Sequence, residues 1–197
     1  MYTPDTEAIT RLSEVPGHVY QVNWSPDGEA IFYTSASNFG SGAGYAMKGV
    51  WVSRADGSGT RALYAPVVGA GAEEFVAWES ADTVLVNSWR PDCGGNTLRR
   101  VNAVTGEVVV LWPDYFRRVV HNFETGATVV DVPEIFCNPE GTVGFYLIEA
   151  AGAALEQVSE EVFQSQLPEP PIDPVPEALK QKLAALLEVE RVIWVQP

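Results

Sequence analysis

The chain has 197 residues, enough for one domain with a sizeable core or for two small domains. Its apolar content of 46% and charged content of 19% exclude a disordered or fibrous chain. Twelve basic against 26 acidic residues give a net charge of −14. We therefore expect no nucleic acid to bind through a general basic surface, because that needs clustered Lys and Arg.

The start of the chain has neither the basic segment nor the apolar segment of a secretory leader. No run reaches the roughly 18 to 20 apolar residues that a membrane span needs, so we expect no membrane insertion. With two histidines in the chain, a His-rich metal site is nearly excluded. We therefore predict neither a metal nor a cofactor.

Strand signals dominate as far as about residue 165. Short runs rich in Val, Ile, Tyr, Phe and Trp alternate with clusters of Gly, Asp, Asn and Pro. The clearest runs lie at 30–35, 49–53, 83–88, 107–112 and 142–148. No helical period of useful length competes with them, and the sequence therefore predicts an all-β domain over residues 1–165.

The predicted strands recur as a unit of four over roughly 45 residues, which is the size of a propeller blade. The first strand of each unit ends in an aromatic residue: Trp24, Trp78 and His121. The turn glycines of the last hairpin, Gly59, Gly106 and Gly152, lie 47 and 46 positions apart. The repeat predicts three blades, at about 19–65, 75–112 and 118–158.

Residues 19–65 carry a more specific pattern. Trp24-Ser-Pro-Asp-Gly28 precedes an apolar strand, and Gly49-Val-Trp-Val52 and Ala55-Asp-Gly-Ser-Gly59 follow it. This pattern resembles the TolB-type WD40-like (PD40) repeat, which also occurs in the propellers of prolyl oligopeptidase-like enzymes. The second blade has Glu79-Ser-Ala-Asp82 at the turn, and the third keeps only Gly126.

The resemblance implies a β-propeller that binds proteins, and it suggests an extracytoplasmic location. The N-terminus lacks an export signal, so the compartment stays open. A structural role is expected for the turn residues, since Pro26 fixes φ, Asp27 can bond its own turn backbone and Gly28 takes a left-handed conformation.

Three blades and a half do not close a propeller, because natural closed propellers have about four to eight. Residues 2–14 supply only the last hairpin of an earlier unit. Three solutions are open: a longer parent protein, a homodimer in which a second chain closes the propeller, or pairing of strand 8–12 with a C-terminal strand at 191–196.

The C-terminal part begins with a Pro-rich linker over 166–176. A helix then follows within 177–197, with Asp173 as N-cap and Pro174 at the first position. Its leucines recur on one face: Leu179, Leu183, Leu186 and Leu187. The predicted fold is thus a partial propeller with a short C-terminal helix and strand.

Candidate ligand-binding residues are aromatic or apolar side chains outside the predicted core. One group lies in a Gly-rich insertion of the first blade: Phe39, Tyr45 and Met47. A second group could stack on a sugar: Trp89, Tyr115 and Phe116. Five arginines of the last two blades, Arg90, Arg99, Arg100, Arg117 and Arg118, are interpreted as ordinary blade-surface charge rather than one basic patch.

Cys93 and Cys137 lie 44 positions apart, in equivalent loops of the second and third blades. In a propeller such loops emerge on one face, so these cysteines form either a disulfide or two free thiols. A disulfide would indicate an oxidising compartment.

Nucleophilic catalysis has no support, because the chain has no Gly-x-Ser-x-Gly elbow and only His18 and His121 as candidate bases. We therefore predict no catalytic residues and a non-catalytic binding or scaffold module that mediates protein interactions. The alternatives are the propeller of a prolyl oligopeptidase-like hydrolase without its catalytic domain, and a carbohydrate- or small-molecule-binding propeller.

Overall fold

A computed structural model of the chain describes residues 2–3, 8–9, 18–36, 47–64, 72–89, 96–113, 115–134, 143–148, 155–167 and 177–187. Within these ranges the chain forms one two-stranded sheet, three four-stranded sheets and two helices. The two-stranded sheet is a hairpin of β1 (Tyr2–Thr3) and β2 (Ala8–Ile9).

Each four-stranded sheet is an antiparallel meander in which every strand pairs with the next one along the chain. The first blade contains β3 (His18–Trp24), β4 (Ala30–Ala36), β5 (Met47–Arg54) and β6 (Arg61–Tyr64). The second contains β7 (Ala72–Ser80), β8 (Thr83–Trp89), β9 (Asn96–Asn102) and β10 (Val108–Trp112). The third contains β11 (Arg118–Asn122), β12 (Ala127–Val132), β13 (Gly144–Ile148) and β14 (Leu155–Val158).

The three blades sit side by side with their first strands adjacent. Strand β7 contacts both β3 and β11, as the inner strands of neighbouring propeller blades do. The predicted all-β partial propeller is therefore confirmed.

The Ser-Pro-Asp-Gly turn of the first blade is held by its own side chains. Ser25 Oγ donates to Asp27 Oδ1 over 2.6 Å, and the same oxygen accepts from the backbone N–H of Glu29 at 3.1 Å. Gly28 takes a φ of +73°, a conformation that glycine adopts without strain. These bonds lower the pKa of Asp27, the bond from Ser25 most, and give its carboxylate a structural role.

Apolar side chains fill the space between the first and second blades. The buried members are Phe32, Val50, Val52, Leu63, Trp78, Val84, Val86, Val101 and Ala103. Phe32 and Phe75 meet across the interface with ring centroids 5.4 Å apart. A second core lies between the second and third blades, with Leu85, Leu98, Trp112, Phe116, Val130 and Tyr146 among its members.

A short helix, α1 (Glu160–Ser165), covers the far face of the third blade. Its Phe163 is completely buried and packs with Val120 and Val129. Ser159 caps the helix by accepting a hydrogen bond from the Val162 N–H. The strand pattern up to residue 165 did not predict α1, because six residues are too few to display a helical period.

The predicted C-terminal helix is confirmed as α2 (Glu177–Leu187). The linker residues 168–176, including Asp173 and Pro174, and the predicted strand at 191–196 lie outside the described residues. Neither α1 nor α2, the helices of the described part, is long and apolar enough to cross a membrane.

Candidate functional site

A pocket of about 340 Å³ opens where the second and third blades meet. Its lining residues are Glu74, Asn87, Trp89, Asn96, Tyr115, Phe116 and Arg117. It brings together three residues that the sequence suggested as ligand contacts, namely Trp89, Tyr115 and Phe116. We take this pocket as the candidate functional site.

The register of the second blade builds one wall of the pocket. Glu74 of β7 pairs with Asn87 of β8, and Trp89 of β8 pairs with Asn96 of β9. Side chains two positions apart on a strand point to the same face, so Asn87 and Trp89 share a face with Leu85. That face is turned to the third blade, because Leu85 belongs to the core between these two blades.

The segment before β11 builds the opposite wall. Phe116 is only 2% exposed and belongs to the core between the blades. Its backbone carbonyl accepts a hydrogen bond of 2.9 Å from Asn96 Nδ2, which ties the segment to β9. Phe116 thus forms a buried wall, whereas Trp89 is 38% exposed and presents its ring to solvent.

Both asparagines use their amide nitrogens within the protein. Asn87 Nδ2 donates to Glu74 Oε2 at 3.3 Å, and Asn96 Nδ2 donates to the Phe116 carbonyl. A carboxylate and a backbone carbonyl can only accept, so their chemistry determines which way each amide is turned.

The side-chain oxygens of Asn87 and Asn96 differ from these nitrogens in their hydrogen bonding. Oδ1 of Asn87 and Oδ1 of Asn96 are both buried and receive no hydrogen bond from any described residue. The two residues are 7% and 6% exposed. A buried acceptor without a donor costs about 1–3 kcal/mol, so these two oxygens are a cost to the interface between the blades, and their burial keeps them out of reach of a ligand in the open pocket.

The charges at the pocket are unequally matched. Arg117 donates from Nε and Nη2 to Asp131 Oδ2, at 2.9 and 2.7 Å, and that carboxylate is 2% exposed. Arg118 Nη2 lies 3.8 Å from the same oxygen. One buried carboxylate is therefore shared by two arginines, and the side chain of Arg117 is 61% exposed, whereas the exposed Glu74 is bonded by the amide of Asn87 among the described residues.

The remaining arginines of the last two blades are also paired where the structure describes them. Arg99 Nη1 lies 3.8 Å from Glu73 Oε1, and Arg100 makes a bidentate salt bridge with Glu79. Arg90 lies outside the described residues. These ion pairs fit the interpretation as ordinary blade charge.

The other predicted residues lie in another blade or outside the described residues. Met47 is the first residue of β5, in the first blade. Phe39, Tyr45, Cys93 and Cys137 lie outside the described residues, so the choice between a disulfide and free thiols stays a prediction. Asn87, Asn96 and Glu74 were missed; the one available signal was a polar Asn87 inside the apolar run of β8.

The candidate base His121 is not at the pocket. It lies near the end of β11 that is remote from Arg117, with Nδ1 2.8 Å from Thr128 Oγ1. Burial is the main factor that lowers its pKa. Its Nε2 is buried and has no hydrogen-bond partner in the described part of the chain.

No protein-family model matches the chain, and no curated protein matches it. An oligogalacturonate lyase in complex with manganese is similar in structure, with a TM-score of 0.56 and 12% identity over 80% of this chain and 40% of that one. An oligogalacturonate lyase from Vibrio parahaemolyticus gives a TM-score of 0.54 and 13% identity over 80% and 41%. TolB from Acinetobacter baumannii gives 0.46 and 11% over 72% and 32%.

The chain spans less than half of the length of these solved structures. At such low identity the likeness to the two lyases shows the fold alone. That fold is a β-propeller, of which this chain forms three blades within the described residues.

Proposed function

We propose that this propeller is a non-catalytic binding module that engages a partner protein through the pocket between its second and third blades. The exposed indole of Trp89 at the rim of this pocket carries the proposal.

A protein partner is favoured by the aromatic group beside the pocket. Trp89 is 38% exposed at the rim. Tryptophan is enriched among residues that dominate binding energy at protein interfaces, where it packs beside a pocket that captures one side chain. The pocket with this rim has the form of such an anchor site.

The composition of the pocket supports a role without catalysis. Its ionisable side chains are Glu74, Tyr115 and Arg117, and Arg117 is held by Asp131. One structural neighbour is a complex with manganese, which is a property of that protein. Among the residues described for this chain, no group of three His, Cys, Asp or Glu is placed to hold a metal ion.

Carbohydrate binding is the second candidate. Trp89 and Tyr115 line the same pocket as two amides, and aromatic rings with amides can recognise sugar rings. Two structural neighbours, with TM-scores of 0.56 and 0.54, are oligogalacturonate lyases. The peptide selection described next favours the first candidate if the selected peptides depend on Trp89.

The test is selection of peptides from a random display library on the whole chain. The affinity of the selected peptides is then measured for the wild type and for Trp89→Ala, and we expect that variant to bind about tenfold more weakly. Phe123→Ala is the matched control, since Phe123 is 57% exposed in a turn of the third blade. Selected peptides that bind Trp89→Ala as well as the wild type contradict the proposal.

A further inference from the structure

We propose that the outer edge of the second blade, strand β10, binds an extended basic segment of a partner protein, which adds to the sheet as a fifth strand. This inference goes beyond the pocket between the second and third blades, because no residue of β10 lines that pocket. It follows from the apolar surface of β10, from the direction of its backbone groups and from the charge beside it.

Strand β10 is the end strand of its sheet. It pairs with β9 on one side, and no described strand pairs with its other side. Its first three residues, Val108, Val109 and Val110, are 39%, 45% and 53% exposed. Successive side chains of a strand point to opposite faces, so apolar surface is exposed on both faces of this edge. An exposed apolar edge strand is a template for pairing with another chain.

The outer strands of the other two blades differ from β10. Strand β6 buries Leu63, which belongs to the core between the first and second blades. Strand β14 has the exposed Glu156 and Gln157 at its centre. Charged side chains at an edge are a common protection against unwanted pairing. Strand β10 contains no charged residue, so this protection is missing there.

The backbone of β10 directs two residues outward. The hydrogen bond of 2.9 Å from the Asn102 N–H to the Glu107 carbonyl sets the phase of the ladder between β9 and β10. Opposed residues of an antiparallel pair alternate between bonded and non-bonded, so Val109 is the next residue bonded to β9. The N–H and C=O groups of Val108 and Val110 therefore point away from β9. They offer two donors and two acceptors to an added strand.

An extended peptide meets this requirement. Its main-chain hydrogen bonds supply affinity, as in strand addition at other sheet edges. Its alternate side chains lie beside Val108 and Val110 on one face and beside Val109 on the other. β-branched side chains suit both faces, because they pack well on a pleated apolar surface. The matching segment is therefore extended and rich in valine, isoleucine or threonine.

The charge beside the edge favours a basic segment. Glu107 immediately precedes β10, is exposed and lies on the same face as Val109. Arg100, which is opposite Val109 on β9, is engaged in its bidentate salt bridge with Glu79. The whole chain carries a net charge of −14, which attracts a basic partner and repels a second copy of the chain.

The experiment is a titration of the isotope-labelled whole chain followed by NMR. The probe is an eight-residue peptide of alternating valine and threonine with a lysine at each end and both termini blocked. In the matched control peptide, glutamate replaces both lysines. We expect the lysine peptide to give saturable shifts of the Val108, Val109 and Val110 amides, and the glutamate peptide to bind at least about fivefold more weakly.

Amide hydrogen exchange gives a readout that is specific to strand addition. In the free chain the N–H groups of Val108 and Val110 should exchange faster than that of Val109, which is bonded to β9. The lysine peptide should slow exchange at Val108 and Val110 by about tenfold or more and change Val109 less. Shifts without this alternating protection would mean contact without strand addition, and they overturn the inference.

Two pairs of variants test the backbone edge and the charge. Val110→Pro removes an outward donor without removing a bond to β9, and we expect the lysine peptide to bind about tenfold more weakly. Val110→Thr keeps the donor and the branched shape and should bind within about twofold of the wild type. Glu107→Gln should weaken binding about threefold. Glu156→Gln, which removes an exposed charge from β14, should leave the affinity unchanged.

Equal affinity of Val110→Pro and Val110→Thr, or of the lysine and glutamate peptides, overturns the inference. If Val110→Pro does not fold, the exchange pattern and Glu107→Gln decide, since Glu107 is exposed. Protection of Val108 and Val110 without peptide, together with a doubled mass in solution, overturns it in favour of a second copy at β10. Absence of any saturable shift overturns it as well.

Discussion

The guanidinium of Arg118 lies over the ring of Phe163, with Cζ 4.5 Å from the ring centroid. Phe163 also contacts Phe145, at a centroid distance of 5.0 Å, and is completely buried. Helix α1 thereby covers the face of the third blade that would otherwise meet a fourth blade. Within the described residues no further blade lies against this face, and the six residues of α1 cover it instead.

Phe163→Ala should lower the free energy of unfolding by about 3–5 kcal/mol, the usual cost of removing a buried aromatic ring. Val162→Ala in the same helix is the control, since Val162 is 39% exposed and its truncation should change the stability little. Chemical denaturation measures both values. Equal effects of the two variants would mean that α1 does not stabilise the third blade.

The mass in solution tests the proposal that a second chain closes the propeller. Light scattering during size-exclusion chromatography distinguishes 21.4 kDa from twice that value. Ile31 and Tyr33, on the face of the first blade turned away from the second, are 2% and 3% exposed in one chain, and Phe163 is buried at the other end. This burial favours the single-chain mass, and a dimer that persists on dilution would contradict that expectation.

Gly106→Ala should destabilise the protein more than Gly126→Ala. Both glycines have positive φ, at +79° and +71°, and alanine in that conformation costs about 1–2 kcal/mol. A Cβ at position 106 would in addition lie 2.8 Å from the Leu63 carbonyl oxygen of the neighbouring blade, whereas nothing lies within 4 Å at position 126. Thermal unfolding of both variants gives the comparison. Equal losses of stability would show that the contact with the Leu63 carbonyl is relieved without cost.

Tyr64→Phe should cost about 1.5–3 kcal/mol, because the Tyr64 hydroxyl donates over 2.9 Å to the buried Glu73 carboxylate. Burial and the charge of Glu73 both raise the pKa of Tyr64, so the hydroxyl stays protonated as a donor. Tyr33→Phe is the matched control. The Tyr33 hydroxyl is buried without a hydrogen bond to described residues, and its removal should be neutral or stabilising.

His121 should make the stability depend on pH below about 6.5. Burial lowers the pKa of folded His121 from its ordinary value of 6.5, although the charge of Glu79 opposes the shift. As the pH falls through 6.5, the unfolded chain binds a proton that the folded chain does not, so the stability falls until the folded imidazole also protonates. His121→Gln should remove this slope between pH 7 and 5.5, and an unchanged slope in urea denaturation would refute the assignment.

Local chemistry determined much of the fold directly from the sequence. The alternation of apolar residues predicts strands, and Ser25-Pro-Asp-Gly28 predicts the turn that its own side chains hold. The period of about 45 residues predicts four-stranded blades, since each blade is a unit of neighbours in the sequence. These features depend on interactions over a few residues or between consecutive strands, and they can therefore be predicted without coordinates.

The pocket was decided by the tertiary structure. Asn96 and Phe116 are 20 positions apart, and their hydrogen bond exists because the second blade packs against the third. The sequence pointed to Trp89 and Tyr115, but it could not show that Asn87 and Asn96 would be buried beside them, with amide oxygens that no described residue bonds. Burial and the satisfaction of polar groups depend on which elements meet, and that information is spread over residues distant along the chain.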